Sequence, residues 1–308
     1  MTAPIEEGTG RIGVVGSLNL DRFLRLQELP AAGESVHAEL TGTSPGGKGA
    51  NQAAAAALLG VDVQLIGAVG SDEAGDVLLA AASDKGVDIR SIVRAGAPTG
   101  EATILIDAGG ENIIVIVGGA NLALRPETVQ SIAPSTDIVV AGFEVADDVV
   151  EAAARHADAI DALFVLNPSP LRAVTVRMRA KRMLTILNET ESAGLLRAEG
   201  LDDDAIGPLS ELLGGSDLIV TRGARGSIIY ESANRTATVI DSRPVSAVDT
   251  SGCGDAFTGA AVAALSHGAT LREAAEYGRD VGALVATRYG TQSTYPTADE
   301  LAAWVAEQ

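Results

Sequence analysis

Short apolar runs alternate with alanine-rich stretches along nearly the whole chain. Runs at 11–16 (RIGVVG), 63–70 (VQLIGAVG), 137–143 (DIVVAGF), 162–167 (ALFVLN), 184–188 (LTILN) and 217–221 (DLIVT) are continuous rather than alternating. That is the pattern of strands buried on both faces of a parallel sheet. Helical segments fall between them, as at 50–59, closed by Gly60, and at 74–85, followed by Gly86. A glycine just past the last periodic residue stops a helix because it accepts a left-handed backbone. The pattern predicts an α/β fold, a doubly wound, mostly parallel sheet flanked by helices.

Two stretches depart from it. Residues 20–43 alternate without a strong helical period, and 102–117 (ATILIDAGGENIIVIV) read as two strands around an Ala-Gly-Gly-Glu turn. Four short strands from these two insertions predict a small sheet lying over the main one as a lid. Residues 227–240 read as a further hairpin late in the main sheet, and 245–249 (VSAVD) as strand-like. No repeat, low-complexity tract or linker interrupts the chain, so 1–308 reads as one domain with a lid from about 20–43 and 102–117. Leu24, Leu26, Ile104, Ile106, Ile114 and Ile116 take alternating lid positions. A sheet that small cannot cover both faces itself: one apolar face closes over a ligand, and the other calls for a second copy of the chain.

Composition adds exclusions. With 46% hydrophobic and 20% charged residues the chain is globular. MTAPIEEGTGR shows no cationic segment followed by an apolar run, and AAAAALL at 53–59 is too short to span a bilayer. The single cysteine leaves no internal disulfide and fits a reducing compartment. A cytoplasmic protein without a membrane partner is expected. A net charge of −19 and 3% aromatic residues speak against nucleic acid. A compact anion needs local positive elements.

In open α/β sheets, ligands lie at the carboxyl ends of the strands. Those ends are polar here: Ser17, Asn19 and Asp21, then Glu144, Asn167, Asn188, Glu189 and Glu191, then the loop 222–226. Helix capping accounts for some; their collection at one edge points to a crevice. Three glycine-rich turns join them. GTSPGGKG at 42–49 almost matches a P-loop, but Gly49 stands where a hydroxyl should hold magnesium, and no buried first strand precedes it. Lys48 and Asn51 there supply a donor and an amide suited to sugar hydroxyls. TRGARG at 221–226 brings Arg222 and Arg225 to a tight turn suited to a polyphosphate. DTSGCGDAFTGA at 249–260 places Gly252, Cys253 and Gly254 before an apolar helix, where converging N–H groups form an anion nest. Asp255 in its first turn either favours the helix dipole or takes a proton from an attacking hydroxyl. Cys253 is read as small rather than nucleophilic, with no histidine nearby in sequence.

GSLNLD (16–21), GGKGANQA (46–53), LNETE (187–191), TRGARG and DTSGCGDAFTGA, in this order over about 11–297, resemble the ribokinase branch of the PfkB carbohydrate kinase family. The resemblance implies an α/β domain with a β lid, ATP-dependent phosphorylation of a sugar hydroxymethyl, magnesium, and often a dimer through the lids. It places the sugar at Asn19, Asp21, Gly47, Lys48, Asn51, Glu144 and Asp255, with Asp255 as base and Gly252, Cys253 and Gly254 as anion hole. ATP falls to Asn188, Thr221, Gly223, Arg225, Gly226 and Gly254, and magnesium, through water, to Glu191. A monovalent cation, potassium as activator, falls near Asp249, Ser251, Val285, Arg288, Gly290 and Thr294. Two positions depart: Arg279 stands where Asn or His is usual near the adenine. Phe143 stands where a polar residue or Leu is common, which reshapes the sugar pocket. The expected reaction is phosphorylation of D-ribose at O5. The alternatives are another pentose, a ketohexose or a nucleoside, for which the lid offers one aromatic, Phe23, or a sugar sensor without turnover. A dinucleotide-dependent oxidoreductase fits worst, because VVGSLNLD lacks G-x-G-x-x-G.

Overall fold

The computed structural model describes residues 10–109 and 111–307. Its strands in chain order are β1 (Arg11–Val15), β2 (Asn19–Arg25), β3 (Glu39–Gly46), β4 (Asp62–Val69), β5 (Ile92–Arg94), β6 (Gly100–Ile106), β7 (Asn112–Val117), β8 (Ile138–Gly142), β9 (Leu163–Asn167), β10 (Met183–Asn188), β11 (Asp217–Thr221), β12 (Ser227–Glu231) and β13 (Thr236–Ile240). Its helices are α1 (Lys48–Leu58), α2 (Glu73–Asp84), α3 (Asp147–Ala159), α4 (Glu189–Ala198), α5 (Ile206–Leu212), α6 (Cys253–Ser266), α7 (Leu271–Ala286) and α8 (Ala298–Ala306). Among the described residues the main sheet runs β13-β12-β11-β10-β9-β8-β1-β4-β5. The seven strands from β11 to β5 are parallel, and the β12–β13 hairpin closes one edge antiparallel. All six runs read as buried strands lie in this sheet. Apolar side chains of α1, α2, α6, α7 and α8 fill one face, and those of α3, α4 and α5 the other.

The two insertions form a separate sheet in the order β3-β2-β6-β7. Its middle pair, β2 and β6, is parallel, which lets two segments far apart in sequence share one ladder. Its first insertion runs from Asn19 to Gly46, longer at both ends than expected, and its second from Gly100 to Val117, starting earlier and ending as expected. Gly110, in the expected turn, lies outside the described residues.

Three details differ from the sequence reading. The segment 245–249 is no strand: the N–H groups of Val248 and Asp249 both donate to Ala286 O, at 2.7 and 3.3 Å, tying it to the end of α7 instead of a ladder. β5, three residues long, was not anticipated; a run so short carries no periodicity. Alternation fails on β7, whose six residues are all exposed, because this edge strand is uncovered on both faces.

Candidate active site

Asn167, Asn188 and Thr221 end β9, β10 and β11, Glu144 follows β8 by two residues and Ser17 follows β1 by two, so one edge of the parallel sheet collects them. The small sheet roots at the same edge through close backbone contact. A Cβ on Gly16 would lie 2.6 Å from Gly49 Cα, which seats α1 against the end of β1. Gly47 has φ 89°, and a Cβ there would meet Asn19 N at 2.7 Å and Ser17 O at 2.8 Å. Only glycine allows that crossing, and it brings Asn19, Lys48 and Asn51 together.

Three carboxylates converge there. Glu144 Oε2 accepts from Ser17 Oγ, from the Lys48 N–H at 3.0 Å and from Asn19 Nδ2 at 3.5 Å. Asp255, 8% exposed, accepts from Asn51 Nδ2 at 2.9 Å and from Gln52 Nε2 at 3.2 Å. Asp21 is pushed up to about 7, first by burial and then by the charges of Glu144 and Asp255. Lys48 supplies the balancing charge. The Asp255 carboxylate above all, with Glu144 and Glu191, raises its pKa against the opposing effect of burial.

Lys48, Asn188, Glu191, Thr221, Gly252, Gly254 and Asp255 line one cavity. Gly252 caps α6 with φ 72° and no side-chain cap. A Cβ there would meet Thr291 Cγ2 at 2.5 Å, and Tyr295 Oη donates to Gly252 O at 3.2 Å, so the glycine turn is pinned from behind. A Cβ on Gly254 would meet open space, so backbone faces the cavity there. The Cys253 N–H donates to Thr250 O at 3.2 Å, within the turn. Burial above all, with the charge of Asp249, pushes the Cys253 thiol up to about 11, which withholds the thiolate a nucleophile needs.

Asp249 bridges two turns: Oδ1 accepts from Ser251 N at 2.8 Å and Oδ2 from Gly290 N at 3.1 Å. Val285 O accepts from Arg288 N, and Thr294 O from Arg288 Nη1 at 3.1 Å. The six residues expected around a monovalent cation thus share one neighbourhood, two of their carbonyls already engaged by Arg288. Elsewhere the site is looser. Arg225 pairs with Glu189 and, with Arg222, faces a second cavity beside α4. Gly223 and Gly226 shape that turn with φ 56° and 80°. Arg279 Nε donates to Asp280 Oδ1 at 2.7 Å, an oxygen that also accepts from Arg243. Phe143 corrects an expectation: its side chain is fully buried in the core on the α3 side and does not shape the sugar pocket.

The model of the pfkB family carbohydrate kinases matches residues 10–298. The chain belongs to that family. A ribokinase from Staphylococcus aureus is 31% identical over 304 residues, 95% of this kinase and 99% of its relative. The structure of ribokinase from Giardia lamblia superposes with a TM-score of 0.86 at 29% identity, covering 97% of this kinase and 99% of that chain. That of Arabidopsis thaliana ribokinase complexed with ribose and ATP gives 0.85 at 25% identity, over 96% and 98%.

Several residues of the kinase site were not singled out by sequence. Gln52 and Gln292 hold Asp255 and Asn51, and Ser169 and Thr258 line the cavity. Asn121, 1% exposed, accepts from Leu18 N at 2.9 Å and donates to Leu18 O at 3.1 Å and to Asn19 Oδ1 at 2.7 Å. It thereby orients Asn19 at the root of the small sheet. The available signal was a polar side chain inside an apolar context, as in GGKGANQA.

Proposed function

We propose that this kinase is a ribokinase, transferring the γ-phosphoryl group of ATP to O5 of D-ribose to give ribose 5-phosphate and ADP. One observation carries the reading: Asp255 and the glycine turn at the start of α6 line one cavity with Lys48, Asn188 and Thr221. The ribokinases it resembles over their whole length, one of them complexed with ribose and ATP, support the substrate pair.

Ribose lies against Asn19, Asp21, Gly47, Lys48, Asn51 and Glu144. Asp255 takes the O5 proton as that oxygen attacks. The amides of Gly252, Cys253 and Gly254, at the positive end of α6, receive the charge of the transferred phosphoryl, the Cys253 N–H by leaving Thr250 O. The phosphates run toward Asn188, Thr221, Gly223, Arg225 and Gly226, Arg225 exchanging Glu189 for phosphate oxygens. Glu191, on the same cavity, would hold magnesium through water, and magnesium bound with ATP would supply neutralisation of phosphate charge. Asp249, Ser251, Val285, Arg288, Gly290 and Thr294 would hold potassium, which would supply order to the glycine turn. The chain acts as one domain whose small sheet is a lid that excludes water, and two copies pair through their lids. Among the described residues no helix is long and apolar enough to cross a membrane; we place the enzyme in the cytoplasm.

A panel of pentoses, hexoses and nucleosides, assayed for ADP release with ATP and magnesium, tests the reading. D-Ribose is expected to be turned over best. Turnover of another sugar without ribose would overturn the substrate and leave phosphoryl transfer standing.

A further inference from the structure

Asp255 meets the cavity with both carboxylate oxygens already engaged from α1, Oδ2 by Asn51 and Oδ1 by Gln52. These amides are anchored in turn. Gln292 Nε2 donates to Asn51 Oδ1 at 2.9 Å, and Gln52 Nε2 donates also to Asn167 Oδ1 at 3.0 Å. Asn167 Nδ2 donates to Ile186 O at 2.8 Å. Both hydrogens of the Gln52 NH₂ group are therefore spent, one on Asp255 and one on Asn167. A flipped amide would aim its oxygen at two acceptors, so its direction is fixed.

The helix crossing puts Gln52 there. Gly259 lies one turn beyond Asp255 on the same side of α6. A Cβ at 259 would meet Gln52 O at 2.6 Å and Ala55 Cβ at 2.7 Å. Without that side chain, the α1 backbone sits close enough for the Gln52 amide, 4% exposed, to reach the carboxylate. Asn51 has a competing task, because the proposed sugar contacts draw on the same amide. Gln52 has none.

We propose that Gln52 is a positioning residue for phosphoryl transfer: its amide holds Asp255 Oδ1 so that the carboxylate presents a free lone pair to the sugar hydroxyl. This rests on Asp255 being the base. The charged and titratable groups around Asp255 are Asp21 from β2, Lys48 from α1 and Tyr295 before α8, with Glu191 of α4 on the same cavity and Glu144 beside Asp21 and Lys48. Hydrogen bonds donated to a carboxylate orient it and favour its charged form. Gln52 and Asn51 give that bonding to Asp255.

The test compares Gln52→Met, nearly isosteric without the donor, Gln52→Ala and Gln52→Glu with the wild type, folding being checked by circular dichroism. With ribose, ATP and magnesium, Gln52→Met is expected to lower kcat roughly ten- to a hundred-fold, with both KM values within about threefold. The acid limb of kcat/KM should move up by about one pH unit, with Gln52→Ala behaving alike. Gln52→Glu should move it further, since a carboxylate there repels Asp255. In an Asp255→Asn background, Gln52→Met should cost nothing more, because the group it positions is gone. A folded Gln52 variant with unchanged kcat and acid limb overturns the proposal. So does a loss that adds in full to that of Asp255→Asn, which would leave Asp255 as base. Near wild-type turnover of Asp255→Asn alone would instead remove the base itself.

Discussion

At the scale of single residues, two neighbouring carboxylates, Asp255 and Asp21, have different tasks. Asp255→Asn keeps the shape of the base but cannot take the O5 proton, and its NH₂ group meets one of the two amide donors, so one bond of the network is lost. Its kcat is expected to fall by about 10²–10⁴, with ribose affinity by calorimetry within a few-fold; ADP release at near the native rate would remove the assignment. Asp21 is the opposite case, an acid driven toward its neutral form. Its folded value of about 7 lies above the ordinary 3.8, so the folded ligand-free enzyme holds a proton that the unfolded chain has released. The stability this contributes is present below about pH 4 and lost as pH rises through about 7. Asp21→Asn carries no such titration. Denaturant melts should show the variant gaining on the wild type between pH 5 and 8, by about 1–3 kcal/mol at the upper end after allowing for partial exposure. A difference between the two that is flat across this range would mean that Asp21 ionises normally.

At the scale of elements, legibility in sequence follows burial and length. The six strands of the parallel sheet were readable because burial on both faces leaves a continuous apolar run, as in β8 and β11. The glycine turns were readable because backbone approach leaves no alternative residue, as at Gly47 and Gly252. The segment 245–249 looked strand-like because Val245 and Val248 are β-branched, yet its N–H groups at 248 and 249 serve the end of α7. The amides Gln52, Asn121 and Gln292 were invisible as a set, because only the crossing of α1 with α6 and the return of the chain at 292 bring them into register. Asp249 shows how such returns couple elements: one carboxylate joins the turn that opens α6 to the turn that follows α7. A large monovalent cation beside it would tighten both turns and so preform the anion nest. Turnover should rise several-fold when sodium is replaced by potassium at constant ionic strength, and Asp249→Ala should lose that response. Equal rates in the two salts would leave Asp249 as a strap between turns and nothing more.

At the scale of the whole molecule, the unbalanced surface is β7. Ile113, Ile114, Val115, Ile116 and Val117 are 44–58% exposed, on an edge strand with one side unpaired, and Leu40 on the far strand of the same sheet is 54% exposed. Of the other lid positions, Leu26 and Ile104 are buried, at 5% and 9%, and Leu24 and Ile106 half-buried. An open strand of β-branched residues with no charge on it is unsuited to a monomer, since it invites strand pairing with any comparable edge. Pairing with the same surface of a second copy closes on itself by twofold symmetry and ends there. It would also stiffen the lid proposed to exclude water over the sugar, so assembly and turnover should fall together. Sedimentation at micromolar concentration is expected to give twice the chain mass of 31.2 kDa. Ile114→Lys with Ile116→Lys should give a folded monomer with a raised ribose KM, because the main sheet and its helices do not depend on β7. A wild-type monomer under those conditions would sink the pairing, and β7 would then need some other cover.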